Sequence, residues 1–448
     1  MSEQIIDVSA SEPALKARVA DILSEATRQG ASAAEVSVNE DVGLNVTVRK
    51  AELETVEFNH DRGFSITVYF GQRKGSASTS DSSADSIVET VAAACNIAKF
   101  TAEDPCAGLA EAELMPAEVP DLDLYHPWSV TPAEAEQLAL ACEAAGLSHD
   151  SRIENSDGAE VSTQHSCRVY GNTHGFIGGF NASRHSMSCV LIAEDDQGMQ
   201  RDYWYTLART PEALQAPEEV GVEAARRTVA RLSPRKPGTG RFPILFTPQV
   251  ASGLLGHLLG AISGGALYRK ASFLLDSLGQ QVASSHLTLR ERPHELGWIG
   301  SAAFDGEGVA TSSKAFIDQG VVSNYVLGSY SARKLDLPTT GNAGGVFNLE
   351  VVGRQQTVDE MLRQMDRGLL VTDLMGQGIN MVTGDYSRGA AGFWVEGGEL
   401  AYPVDEVTIA ANLKDVFRDV ECVGDDVDPR GNIRAPSILI GEMTVASQ

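Results

Sequence analysis

The fold of the first part of the chain is decided by residues 35–79, which read EVSVNEDVGLNVTVRKAELETVEFNHDRGFSITVYFGQRKGSAST. The stretch is rich in Val, Thr and Phe, and it is punctuated by Asp41-Val42-Gly43, Asp61-Arg62-Gly63 and Gly71. Because β-branched and aromatic residues favour strands and Asp-x-Gly sequences favour turns, it predicts an antiparallel meander with short turns.

Helices are predicted on both sides of this meander. Before it, apolar residues recur three and four positions apart over residues 12–29, the pattern of an amphipathic helix that Gly30 ends. After it, a Ser/Asp-rich cap at 78–85 leads into a second helix at about 84–100. The first unit is therefore a helix, a meander and a helix.

The same order recurs further along the chain. A helix is predicted near 132–146 with Gly146 at its end, then a meander from Arg152 to Arg209, then a helix near 217–232. We interpret this as a duplication of architecture with little sequence identity between the copies. The stretch from 104 to 132 contains five prolines and is expected to be an extended connector.

The clearest linker is Ser-Pro-Arg-Lys-Pro-Gly-Thr-Gly at residues 233–240, and it marks the predicted domain boundary. We expect an N-terminal α+β domain at 1–235, built from the duplicated α-β meander-α units, and a β-rich C-terminal domain at 236–448. The second domain is expected to consist mostly of short Gly-separated strands in a curved or barrel-like sheet. Its predicted regular elements are a strand at 242–246 and helices at about 249–260, 357–366 and near 412–417.

Composition excludes several classes of function. The chain has 448 residues, 43% of them hydrophobic, and a formal net charge of 35 − 61 = −26, which disfavours binding to nucleic acid or to an anionic membrane surface. No apolar run approaches the ~18–20 residues that a membrane span needs, and the first residues lack the features of a signal peptide, so a cytoplasmic protein is expected. The six cysteines are scattered without a Cys-x-x-Cys pair, which indicates free thiols.

Common catalytic motifs are missing from the sequence. Gly376-Gln377-Gly378 lacks the third glycine of a dinucleotide loop, and Ser263 and Ser387 lie in Gly-rich turns without the Gly-x-Ser-x-Gly pattern of a nucleophile. The acidic residues between 415 and 428 lack the order of a calcium loop and predict a solvated face.

The chain has nine histidines, enough to supply the ligands of a metal site. However, no His-Glu-x-x-His motif occurs, and His294-Glu295 has no second histidine after it. His257 shares a helical side with apolar residues, which predicts a packed, hydrogen-bonded histidine. One cluster could converge from neighbouring strands of the second meander: His165, His174 and His185 with Cys167 and Cys189.

Four blocks in the second half of the chain resemble the TldD/PmbA family, whose members are also described as modulators of DNA gyrase. The blocks cover residues 250–282 (VASGLLGHLLGAISGGALYRKASFLLDSLGQQV), 341–351 (GNAGGVFNLEV), 369–400 (LLVTDLMGQGINMVTGDYSRGAAGFWVEGGEL) and 433–445 (IRAPSILIGEMTV). Their length and order make the resemblance specific, and it extends over essentially the whole chain.

The resemblance implies a cytosolic heterodimer with a TldD-type subunit, acting as a metalloprotease on unfolded peptides such as leader peptides of modified bacterial toxins and labile antitoxins. In TldD-type chains the zinc motif is His-Glu-x-x-x-His, followed by an Arg-Lys pair, with a cysteine near the C-terminus as a further ligand. Aligning on Arg269-Lys270 puts Gly256 and Ala261 at the histidine positions and His257 at the position of the glutamate. Cys422 precedes the region of 430–432 where the last ligand would lie.

Glycine and alanine have no side-chain donor atoms, so this chain is expected to hold no metal or other cofactor and to be a non-catalytic subunit, with zinc in the TldD-type partner. The chain would help to form a chamber for peptides. Each peptide would bind in an extended form, as an added strand at the edge of a sheet. Glycines that would permit close approach of a peptide backbone are Gly264, Gly265, Gly344, Gly345, Gly376 and Gly378.

Three alternatives are also compatible with the sequence. The chain could form a homodimer in isolation. It could be an independent hydrolase that uses the histidine cluster of the second meander. It could also be a regulatory protein that acts on gyrase or on a toxin pathway without proteolysis.

Overall fold

The two predicted meanders form one antiparallel sheet in the computed structural model, which describes residues 7–447. The first unit consists of α1 (Glu12–Arg28), β1 (Ala33–Arg49), β2 (Glu52–Phe70), β3 (Arg73–Thr79) and α2 (Ala84–Phe100). The second unit consists of α3 (Pro132–His149), β4 (Ile153–Asn172), β5 (Ile177–Asp195), β6 (Gly198–Ala208) and α4 (Pro217–Ala230). The duplicated helix, meander, helix order predicted from the sequence is confirmed.

The units join through their first strands, which gives the strand order β3-β2-β1-β4-β5-β6. β1 and β4 pair antiparallel from Glu35 opposite Asn172 to Val48 opposite Ala159. Side chains alternate across the sheet, so the valines of β1 face the four helices while Ser37 and Asn39 face the other side. One face of the sheet is therefore packed against helices, and the opposite face carries Ser37 and Asn39 beside Tyr170 and Phe180 of the neighbouring strands.

The turn of the first hairpin differs from the prediction. Asp41-Val42-Gly43 and Asp61-Arg62-Gly63 lie inside β1 and β2, and the chain reverses at Lys50 and Ala51, which both have positive φ. The buried carboxylate of Glu143 on α3 accepts the backbone N–H of Lys50 at 2.9 Å and of Ala51 at 2.8 Å. The turn is thus stabilised by a residue about ninety positions away in sequence, which local turn chemistry cannot reveal.

Helix α3 continues past Gly146, where the sequence predicted its end. A Cβ at Gly146 would lie 2.7 Å from Leu191 Cδ1 and 3.0 Å from the carbonyl oxygen of Gly221 on α4. A Cβ at Gly221 would overlap the carbonyl oxygen of Cys142 on α3. Both glycines therefore allow two helix backbones to approach closely, and neither acts as a helix end.

The second half of the chain contains further helices, of which three were predicted and two were not. They are α5 (Pro248–Ala261), α6 (Gly264–Tyr268), α7 (Ser329–Lys334), α8 (Val358–Met365) and α9 (Leu413–Arg418). The unpredicted α6 and α7 have five and six residues, too few for a periodic apolar pattern. The strands of this half are β7 (Gly240–Phe246), β8 (Thr288–Glu291), β9 (Lys314–Asp318), β10 (Val321–Val322), β11 (Leu349–Val352), β12 (Gln355–Gln356), β13 (Gly368–Met375), β14 (Asp385–Glu396), β15 (Glu399–Asn412), β16 (Val420–Gly424), β17 (Ile433–Arg434) and β18 (Ile438–Ser447).

A closed sheet organises these strands. β18 pairs with β15 on one side and with β7 on the other, which closes β7, β13, β14, β15 and β18 into a five-stranded barrel. A second sheet has the order β10-β9-β8-β11-β17. The α+β class with a barrel-like C-terminal sheet is confirmed, although β14 and β15, with 12 and 14 residues, are longer than the short strands expected. The domain boundary between 235 and 236 stays a prediction.

Within residues 7–447 no helix is both long enough and apolar enough to cross a bilayer. Residues 1–6, on which the expectation of no signal peptide partly rests, lie outside the described residues.

The helix crossing at Gly221 generates a stability prediction. We expect Gly221→Ala to destabilise the protein by about 1–3 kcal/mol, because the added methyl group has no space against the α3 backbone. Gly253→Ala is the matched control, since Gly253 is exposed on α5 and a Cβ there meets nothing within 4 Å. Urea unfolding measures both variants, and equal midpoints for the two would contradict the packing argument.

Candidate functional site

Helix α5 carries the positions that the resemblance matches to a zinc motif. Its apolar residues, including Leu254, Leu255 and Leu258, are buried in the C-terminal core. Gly256 and His257 are partly accessible, whereas Ala261 is buried at the end of the helix. The three positions therefore differ in exposure as well as in chemistry.

His257 is the one side chain with a donor atom at these three positions. Its ring lies edge-on to Tyr386 with the ring centroids 6.2 Å apart, which confirms the predicted packing, whereas the predicted hydrogen bond stays a prediction. Burial, and secondly the positive charge of Arg388, lower the pKa of His257. Both effects favour the neutral form of the imidazole.

The residues of this region do not suit zinc. Structural and catalytic zinc sites use at least three Cys, His or carboxylate ligands, and α5 supplies one imidazole. Cys422 is buried, its Sγ lies 3.1 Å from Gln356 Oε1, and burial raises the pKa of its thiol to about 11, which disfavours the thiolate that binds metal. In the part of the chain that the structure describes, no three His, Cys, Asp or Glu side chains come close enough to hold a metal ion.

The acidic residues between 415 and 428 are partly exposed, as predicted for Asp415, Asp419 and Asp425, and partly bonded within the protein. Asp426 accepts hydrogen bonds from the backbone N–H and the hydroxyl of Ser437 at 2.9 and 2.7 Å. Asp428 pairs with Arg430 at 2.8 Å. These contacts stabilise the chain around β16 and β17 instead of leaving the carboxylates to face a common point.

The histidines of the second meander come together only in part. The rings of His165 and His185 are 5.9 Å apart, and His174 lies away from them in the turn between β4 and β5. His185 Nδ1 is 2.8 Å from Thr163 Oγ1, and His185 Nε2 is 2.9 Å from the carbonyl oxygen of His126. The possibility that all three histidines converge is therefore wrong, because His174 falls in the turn between the two strands.

The cysteines of that cluster form no metal-binding group with the histidine pair in the described part of the chain. Cys167 and Cys189 are both buried, and Cys189 faces Cys142 of α3. The contact with Cys189, together with burial, raises the pKa of the Cys142 thiol. These thiols belong to the packing between sheet and helices.

His165 is buried and neutral. The backbone N–H of Trp128 donates to its Nε2 at 3.3 Å, and Nδ1 has no partner among the described residues. Burial lowers the pKa of His165 to about 4, with a second contribution from His185. The pair joins the Pro-rich connector to the sheet, and its arrangement is that of structural histidines.

A cavity of about 420 Å³ lies between the helix-free face of the sheet and loops of the C-terminal half. Ser37, Asn39 and Arg168 line it from the sheet. Its other walls include Phe304, Asp305, Gly344 and Phe347. Sequence reasoning missed this cavity, although the alternation of polar residues along β1 was a signal that one face of the strand is not packed against helices.

Asp305 fixes the loop that closes the cavity. Its carboxylate is buried and accepts the backbone N–H groups of Glu307, Val309 and Ala343 at 2.9, 3.0 and 2.8 Å. Burial raises the pKa of Asp305 to about 6 despite these hydrogen bonds. The contact with Ala343 holds the adjacent Gly344 at the cavity wall.

The predicted chamber glycines lie in different surroundings. Gly344 borders the cavity, and Gly344, Gly345 and Gly376 have positive φ with nothing within 4 Å of an added Cβ. In contrast, a Cβ at Gly264 or Gly378 would overlap the side chain of Ser331 or the backbone of Ser387, and Gly265 lies beside the guanidinium group of Arg269. Contacts within the chain already require glycine at 264 and 378. For all six glycines, a role in peptide binding stays a prediction.

The buried His165 generates a prediction on acid stability. An unfolded chain binds a proton near the ordinary pKa of 6.5, whereas folded His165 does so near 4, so the unfolded state binds more protons between these values. Stability is therefore lost as the pH falls through this window, by about 2 kcal/mol between pH 7.5 and pH 5. His165→Gln should remove most of this loss in urea unfolding, with His149→Gln, at the exposed end of α3, as the control. An unchanged pH dependence in His165→Gln would contradict the assignment.

The chain is similar to known proteins over nearly its whole length. Family models described as PmbA/TldA metallopeptidase domain 1, central domain and C-terminal domain match residues 34–98, 125–232 and 239–447. The Escherichia coli O157:H7 protein named metalloprotease PmbA is 48% identical over 444 residues, or 99% of this chain and 98% of that protein. A crystal structure from Bacteroides thetaiotaomicron, named as a modulator of DNA gyrase, has a TM-score of 0.91 at 26% identity and covers 97% of this chain and 99% of that chain.

TldD and TldE proteins are also among the similar proteins. TldE from Thermococcus kodakarensis shares the fold, with a TM-score of 0.84 at 19% identity over 96% of this chain and 100% of that chain. A metalloprotease TldD homologue from Buchnera aphidicola is 22% identical over 217 residues, or 46% of this chain and 45% of that protein. The resemblance carried by the four sequence blocks is confirmed, and the chain belongs to the PmbA/TldD metallopeptidase family.

Proposed function

We propose that this chain is the non-catalytic subunit of a two-subunit metalloprotease that processes unfolded peptides, and that the TldD-type partner holds the zinc. The observation that carries the proposal is the side-chain chemistry of α5, where Gly256 and Ala261 supply no donor atom and His257 supplies one. A zinc-activated water needs three protein ligands and an open fourth position, so hydrolysis depends on a second chain. The similarity to a TldD homologue supports a partner of that type.

The contribution of this chain is to bind and orient the substrate. An unfolded peptide offers backbone hydrogen-bonding groups whatever its sequence, so a wall of strands and glycine-containing loops can hold many peptides in an extended form. The cavity between Ser37 on the sheet and Gly344 on its loop is the part of this wall that the structure supports best. Leader peptides of modified toxins and labile antitoxins are the proposed substrates.

Partners of other kinds are disfavoured. A net charge of −26 repels nucleic acid, and we propose a cytoplasmic location for the complex. An independent hydrolase built on His165 and His185 finds no support, because both rings are buried and His185 is hydrogen-bonded through both nitrogens.

The proposal predicts that peptidase activity requires both chains and tolerates the loss of His257. The activity of the complex on an unfolded peptide should stay within about threefold after His257→Ala, whereas loss of a general base costs about a hundredfold or more. Peptide hydrolysis is measured with each chain alone and with both. Activity of this chain alone, or its loss in the complex on His257→Ala, would contradict the non-catalytic role.

A second prediction concerns the cavity. Ser37→Tyr should raise the KM for an unfolded peptide by about fivefold or more with a smaller change in kcat, because the ring occupies space that the peptide uses without touching the reacting atoms. Gln164→Tyr is the matched control, since Gln164 is exposed on the same sheet face and does not border the cavity. Equal KM values for the two variants would show that peptides bind elsewhere.

A further inference from the structure

One edge of the large sheet is left without a neighbouring strand over half of its length. β2 pairs with β1 along its whole length, from Arg49 opposite Glu52 to Ala33 opposite Tyr69. On its other side β3 begins pairing only at Phe64. Within residues 7–447, no strand pairs with the outer side of residues 52–63, which we call the free edge of β2.

The second unit shows what covers the equivalent edge. β5 pairs with β6 only from His185 onward, so Ile177–Arg184 corresponds to the free edge of β2. There the connector runs alongside: the backbone N–H of Ser183 donates to the carbonyl oxygen of Leu124 at 2.9 Å, and Leu122 and Leu124 are buried. An extended segment of the chain itself therefore covers one edge, and the duplicated edge has no such cover in the described part of the chain.

Apolar side chains line the free edge. Leu53, Val56 and Phe58 have exposed fractions of 45%, 39% and 40%. They lie opposite Val48, Val46 and Leu44 of β1, whose side chains belong to the core under α3 and α4. The apolar face of the sheet thus continues outward past the helices that cover it, and an exposed apolar edge with unpaired backbone groups is a template for another strand.

Charge restricts which strand can bind there. Four acidic residues lie along the free edge, and none of them has an ion-pair partner within the described chain: Glu52, Glu54, Glu57 and Asp61. Pairing with the same edge of a second copy would place these carboxylates near one another, and like charges across strands are destabilising. The edge therefore favours a strand in which apolar residues alternate with Lys or Arg.

We propose that the free edge of β2 binds an extended strand of the zinc-holding partner subunit, and that this strand carries Lys or Arg opposite Glu54 and Glu57. The inference rests on the proposed function, because it names the surface through which the two subunits join. Backbone hydrogen bonds along about twelve residues provide affinity, and the apolar side chains bury the exposed strip. The carboxylates select the partner over a second copy of this chain.

The test compares two pairs of charge reversals in the full chain. Glu54→Lys with Glu57→Lys reverses charge on the free edge, and Glu89→Lys with Glu399→Lys makes the same change at exposed positions on α2 and β15. Calorimetry measures the Kd for the purified TldD-type subunit. The edge variant should bind about tenfold to a hundredfold more weakly than the wild type, and the control pair should stay within about threefold.

The outcomes separate this inference from the proposed function. Wild-type binding that the edge variant matches would overturn the inference and leave the two-subunit protease intact. Failure of the wild type to bind the TldD-type subunit would overturn both. Circular dichroism and the unfolding midpoint show whether each variant is folded, and Val56→Ser with Phe58→Ser gives an independent reading of the apolar contact, with the same weakening expected.

Discussion

Backbone pairing between β1 and β4 is the interaction on which the rest of the N-terminal half depends. It joins two helix-meander-helix units into one sheet, and it fixes which residues face the helices and which do not. A shift of one residue would turn Ser37 and Asn39 toward the helices and expose the valines between them. The helix-free face exists because of this register, and with it the cavity that Gly344 closes from the other side.

The regular elements of the fold could be predicted where the information is local. The helix at 84–100 was predicted at its observed bounds, because a serine cap and a run of spaced apolar residues define it. The first hairpin turn was not, because Glu143 on a distant helix stabilises Lys50 and Ala51 in a conformation that their own side chains do not favour. The helix end predicted at Gly146 was wrong for a related reason, because glycine is favoured both at helix ends and where two helices pack closely.

Of the candidate site, the positions on α5 could be predicted from the sequence and the cavity could not. Family resemblance, and not spacing or periodicity, led to Gly256, His257 and Ala261, and the structure adds that they lie on a helix whose other side fills the C-terminal core. The cavity could not be predicted, because its walls come from strands and loops more than one hundred residues apart in sequence. The histidine cluster was one open alternative, and only His165 and His185 of it come together, because His174 lies in the turn between β4 and β5.

The central claim is that this chain holds no zinc of its own and that peptide hydrolysis depends on the zinc of a second chain. The measurement that tests it most directly is the zinc content of the purified chain and of its complex with the TldD-type subunit, by mass spectrometry. The account predicts less than about 0.1 zinc per isolated chain and about one zinc per complex. About one zinc per isolated chain, retained after dialysis, would contradict it.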